Sequence, residues 1–210
     1  MTAIQAAQSS GLEPTQKRES AMFGIWLLIG AETVLFGSLF TLYTVLRLGN
    51  MNAFRQASRL IGDNGAVWAT AYILLSTYAA AMVMRAVKKD NHFSLVGHLT
   101  LILIAGFFFL GNKYHEFSRL IKEGLLWPGL FSAPGFTGQG ASQYSSIFFL
   151  INGLLLIHMV IGLFIAIRLT KRAMLYQYSS TNDTPIQLFA RYWQLGVLVW
   201  FILFPLFYLI

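Results

Sequence analysis

Five apolar runs dominate this 210-residue sequence, each of the roughly 20 residues that a helix needs to cross about 30 Å of hydrocarbon. They cover residues 21–46, 66–86, 95–120, 145–169 and 189–210. Inside a bilayer every backbone N–H and C=O must find its partner within the protein, so isolated runs of this length fold as helices. The fold class they predict is all-α, a polytopic membrane protein with a bundle of five transmembrane helices. Composition agrees with this. Charged residues make up only 11% of the chain, where a soluble domain carries roughly 25% to keep its surface wet. Residues 1–20 are polar, with Glu13, Lys17, Arg18 and Glu19, and carry no cleavage signature behind a short apolar core. The expected organisation is a polar cytoplasmic N-terminal segment, 1–20, followed by one transmembrane domain, 21–210.

In a soluble protein, a net charge of +7 would point towards nucleic acid. Here the basic residues cluster between apolar runs, which fits membrane topology and anionic headgroups instead, and no nucleic-acid partner is expected. Nine of the 15 Lys and Arg residues fall on the side of the N-terminus, Lys17, Arg85 and Lys171 among them. That bias places the N-terminus in the cytoplasm and, after an odd number of spans, the C-terminus outside. Trp127, Tyr144, Trp193 and Tyr208 lie near expected helix ends, where amphipathic rings favour the headgroup region.

A few polar residues interrupt the apolar runs. Glu32 sits near the middle of the first run, where a lone carboxylate is costly. Its helical neighbours Leu28, Ile29, Leu35 and Phe36 offer no partner, so one must come from another helix, water, lipid or another chain. Glu32 is therefore read either as a protonatable group beside a proton path or subunit contact, or as a neutral acid bonded between helices. Lys113 and Glu116 are spaced i,i+3, and His115 and Arg119 i,i+4, near the outer end of the third run. That spacing predicts an interfacial salt bridge with snorkelling basic groups. His158, mid-span with Leu155 and Gly162 on its face, reads as a helix–helix hydrogen bond, with Gly162 admitting a neighbouring backbone. Pro205 is expected to kink the last helix.

Redox metals need matching ligands, and the chain has four histidines and no cysteine. The histidines fall at different depths, so no metal site and no catalytic residue is expected on this chain.

Specific residues then recur in a known order. Phe23-Gly24-Ile25-Trp26-Leu27 precedes Ala31-Glu32-Thr33-Val34-Leu35-Phe36, and Leu74-Leu75-Ser76-Thr77 and Lys113 to Phe117 follow. His158-Met159-Val160-Ile161-Gly162, Tyr192-Trp193, Val199-Trp200 and Phe204-Pro205-Leu206-Phe207-Tyr208-Leu209 complete the series. From about Phe23 to Ile210 the chain resembles the five-helix subunit III of haem–copper terminal oxidases. Leu155, Gln194 and Val197 stand where that family usually has His, His and Asp, which removes polar packing groups. The resemblance implies an accessory subunit of a respiratory complex in a bacterial inner membrane, most readily a cytochrome c oxidase. Such a complex reduces oxygen and pumps protons, with haem and copper held by partner subunits and none on this chain. It also implies packing against catalytic subunit I, phospholipid between the helices, support of proton uptake, and Glu32 facing the membrane interior. Lys113, Glu116 and His158 then count as structural polar groups. A quinol oxidase, a nitric oxide reductase or an independent small transporter remain alternatives.

Overall fold

The computed structural model describes residues 14–61, 65–124 and 139–209, and the fold is stated for these. They form six helices and no strand: α1 Pro14–Gly49, α2 Met51–Ile61, α3 Gly65–Lys88, α4 His92–Lys122, α5 Gln139–Met174 and α6 Thr184–Tyr208. All but α2 are long and apolar enough to cross a membrane, so the five expected spans are all present and the protein is multi-pass.

Helix α1 begins in what was read as a polar extension, because Pro14 suits the first turn of a helix and the polar residues after it tolerate one. The connection between the first two spans also contains a helix that the search for spans passes over. In α2, Phe54, Ala57, Ser58 and Ile61 are buried at i, i+3, i+4 and i+7, the signature of a short amphipathic helix.

Helices α3, α4, α5 and α6 close a four-membered ring, each packed on the next, with α3 returning to α6. Helix α1 packs outside this ring, against α5 and α6. Only 6% of its most apolar stretch is buried, against 56% for α6, the central helix. Phe23, Leu27, Val34 and Val45 on α1 all face outward.

The core is built from rings that carry their own hydrogen bonds. Trp193 and Trp200 are fully buried on α6 and donate their indole N–H to Ser76 and Thr70 of α3, at 3.1 and 3.0 Å. Buried indoles need such a partner. Trp193 and Tyr144 were expected in the headgroup region; both instead belong to this core, because each ring's polar tip finds an acceptor inside. Tyr208 is partly buried, and Trp127 lies outside the described residues.

Pro205 lies inside α6, which stays helical through it to Tyr208. The orphan carbonyls of that last turn are capped from three other helices. Leu206 accepts from the Tyr43 hydroxyl of α1, and Phe207 from Ser58 of α2 and Tyr144 of α5. Helix α2 thus closes one end of the bundle.

At the other end, the α3–α4 turn is clasped to the α5–α6 connection. Asn91 caps α4, Asp90 adopts a left-handed φ of 51°, and its carboxylate accepts the Ser180 amide. The His92 ring stacks on Tyr176 at 3.6 Å. The Ser180 contacts hold the Asp90 carboxyl below the usual carboxylate range. A depressed acid favours the folded state above its ordinary value and loses that contribution as pH falls through the folded one. Clasp strength is therefore expected to be flat from neutral pH down to the ordinary carboxylate range and to fall below it. Asp90→Asn should speed hydrogen exchange of the Ser180 amide at neutral pH. Unchanged exchange would remove the clasp.

Candidate functional site

Two buried polar clusters gather the residues singled out in the sequence. The first lies towards the α2 end. Lys113 and Glu116 form the expected i,i+3 salt bridge, but at 1% and 5% exposed they are buried and do not snorkel to the interface. The correction has a geometric cause: α4 continues to Lys122, which leaves Lys113 nine residues inside the helix end, roughly 13 Å along its axis. There α5 and α6 enclose it.

The three N–H bonds of Lys113 have three acceptors, Glu116 Oε2 at 2.7 Å, Tyr208 Oη at 2.7 Å and Asn152 Oδ1 at 3.2 Å. The Tyr208 hydroxyl donates to Glu116 Oε1 at 2.6 Å, and Asn152 donates to the Phe148 carbonyl. The Lys113 ammonium also sits 4.4 Å from the Trp200 ring centre, within cation–π range. Every strong donor and acceptor of the set is used, which is the condition for keeping an ion pair buried. His115 is exposed, while Arg119 turns to the Ile61 carbonyl at the end of α2 and to Glu123.

The second cluster lies at the midpoint of α1. Glu32 Oε2 and His158 Nδ1 are 2.7 Å apart, so the partner that Glu32 needed comes from α5 of this chain. His158 Nε2 is 3.1 Å from the Tyr192 carbonyl of α6, and the Tyr192 hydroxyl donates back to the His158 carbonyl. The two rings stack at 4.0 Å. A carbonyl only accepts, so Nε2 carries a hydrogen. A single proton then remains between Nδ1 and Oε2, and the pair is neutral whether that proton sits on nitrogen or on oxygen.

Small residues on α5 and α6 make this geometry possible. A Cβ at Gly196 would lie 2.8 Å from His158 Cδ2, so only glycine admits the imidazole. At Gly162 it would meet the Trp193 and Tyr192 rings, so this glycine admits side chains and not the backbone expected there. Leu155 and Val197 are buried apolar residues. Gln194 lines an open groove of about 300 Å³ between α1 and α6, next to Arg191.

Glu32 and His158 belong to one cluster and Asn152 to the other, so these polar groups do not converge on one path of the kind a small transporter would need. Among the described residues no three His, Cys, Asp or Glu side chains come together as a metal site would require. Sequence reading missed Tyr208 and Tyr192 as partners in these clusters. Nothing along α6 signals either one, because Tyr208 meets Lys113 and Glu116 of α4 and Tyr192 meets His158 of α5, contacts that arise only between helices.

Spans, fold and clusters describe a multi-pass helical membrane protein with an intramembrane carboxylate–imidazole pair. No family model matches the chain. Among curated proteins it is similar to cytochrome c oxidase subunit 3 of Alkalihalophilus pseudofirmus, 25% identical over 93% of this chain and 89% of the relative. It is likewise similar to quinol oxidase subunit 3 of Bacillus spizizenii, 27% identical over 90% of this chain and 86% of the relative. A heme-copper oxidase subunit I+III of Aeropyrum pernix is 24% identical over 94% of this chain, which spans only 23% of that longer protein. The chain thus resembles oxidase subunit III over most of its length.

Proposed function

We propose that this chain is an accessory, cofactor-free subunit III of a respiratory haem–copper oxidase. It packs against the catalytic subunit, stabilises it and supports its proton uptake, in a bacterial inner membrane with the N-terminus cytoplasmic. The observation that carries this reading is the likeness to oxidase subunits 3 over most of both chains. The outward apolar face of α1 supports it too, since a flank of this kind suits a larger neighbour. A cytochrome c oxidase is the first reading. A quinol oxidase is the second, favoured by the Bacillus spizizenii relative.

The test is to purify the tagged chain in mild detergent and record a reduced-minus-oxidised spectrum. Stoichiometric haem bands with oxygen consumption are expected, and oxygen consumption driven by reduced cytochrome c or by a quinol separates the two oxidase types. A colourless, stable, isolated protein would overturn the reading. Glu32→Gln tests the proton role: proton uptake and lifetime under turnover are expected to fall, and unchanged values for both would sink that role.

A further inference from the structure

A pocket of about 110 Å³ opens on the lipid-facing side of α1 and α5, directly over the Glu32–His158 pair. Leu35, Leu154, Ile157 and Ile161 form its walls. Leu35, Ile157 and Ile161 are 44, 59 and 47% exposed, so the mouth faces the bilayer. We propose that this pocket binds the hydroxyl of a bilayer-soluble ring compound of quinol type, in preference to the corresponding quinone.

The preference follows from counting hydrogens on the floor. His158 Nε2–H is given to the Tyr192 carbonyl, and the Tyr192 hydroxyl to the His158 carbonyl. The one remaining proton is held between Nδ1 and Glu32 Oε2. Nothing is left to donate. Glu32 Oε1, by contrast, has no hydrogen-bond partner among the described residues, and the Glu32 side chain is 21% exposed. The floor is an acceptor without a donor. A quinol hydroxyl satisfies it, whereas a quinone carbonyl sets lone pair against lone pair and leaves both groups dry and unpaired.

Charge and shape narrow the class further. An ammonium donor would have to enter the hydrocarbon as an ion, which is costly at this depth. An apolar cavity of about 150 Å³ accommodates benzene, so an open pocket somewhat smaller takes the hydroxyl-bearing edge of one ring and leaves its tail in lipid. A serine or threonine from a partner's helix is also a donor. Such a helix would cover the pocket, and loss of quinol retention in the presence of the partner subunits detects it. The inference stands on this geometry and does not depend on the oxidase role.

The test uses the tagged full chain, with whatever subunits accompany it, in phosphatidylglycerol nanodiscs. The probes are a radiolabelled decyl benzoquinol, kept reduced under argon, and its quinone. One quinol per chain above the level of empty discs is expected, with the quinone held at least about tenfold more weakly. Ile161→Trp, which fills the mouth from its exposed side, should abolish retention. Glu32→Gln gives its amide N–H to the bare His158 Nδ1, keeps a carbonyl acceptor on the floor and should retain the quinol preference. Glu32→Leu removes the acceptor and should bring quinol retention down to that of the quinone. Equal retention of the two redox forms, or a quinol preference that survives Glu32→Leu, would overturn the proposal. So would retention by the isolated chain that vanishes when its partner subunits are present, since the pocket would then be covered by protein.

Discussion

Lys113→Met is expected to destabilise the protein by about 3–5 kcal/mol, the usual consequence of leaving one member of a buried ion pair alone. The ammonium pairs with Glu116 at 2.7 Å inside the bundle, and it also supplies hydrogen bonds to Tyr208 and Asn152. Methionine fills a similar volume, so the loss reports charge and hydrogen bonding more than packing. The double variant Lys113→Met, Glu116→Gln removes both charges and should recover most of the loss, because well-packed neutral groups replace buried pairs at little cost. Thermal unfolding in detergent micelles, followed by circular dichroism, measures both. If the single and double variants lost the same stability, the ion pair would be irrelevant and packing against Trp200 would explain the site.

The second large effect is expected at Gly196→Val. A Cβ there meets His158 Cδ2 at 2.8 Å, Nε2 at 3.0 Å and Met159 Sδ at 3.2 Å. Met159 can yield, being flexible. His158 cannot, since both ring nitrogens are bonded and its face is stacked on Tyr192. Overpacking of a fixed group costs about 1–3 kcal/mol, and the displaced imidazole should also release Glu32. Nitrogen-15 spectra of labelled histidine would then lose the shift of a carboxylate-bonded Nδ1. Gly97→Ala is the control, because a Cβ there meets nothing within 4 Å. It should leave both stability and spectrum unchanged or slightly improved. A Gly196→Val protein as stable as Gly97→Ala would mean that the imidazole has room to move.

The number and placement of the spans were legible because a 20-residue apolar run has few other outcomes. Helix α2 was not read, although Phe54, Ala57, Ser58 and Ile61 carry a helical period, because the search for spans passes over a helix that lies across the bundle end. Glu32 stood out as a carboxylate without local partners, and its need for another helix could be stated without knowing which. Naming His158 as that partner takes the three-dimensional packing of α1 against α5. Lys113 shows the opposite limit. Its i,i+3 spacing to Glu116 gave the pair but not its surroundings, since burial is decided by where α5 and α6 cross α4. Aromatic residues near span ends were read as belt residues for the same reason. What separates Trp193 from a belt residue is Ser76 on another helix.

The position of α1 outside the ring also bears on how the protein is made. Of the six helices it leaves the ribosome first, and α5 and α6, against which it packs, leave it last. Until they arrive it stands in the bilayer with the Glu32 carboxylate unpartnered by His158, while α3 and α4 can already pair as neighbours through a short turn. The Glu32–His158 bond therefore waits for α5, and a chain truncated before α5 leaves a membrane-embedded acid without its partner.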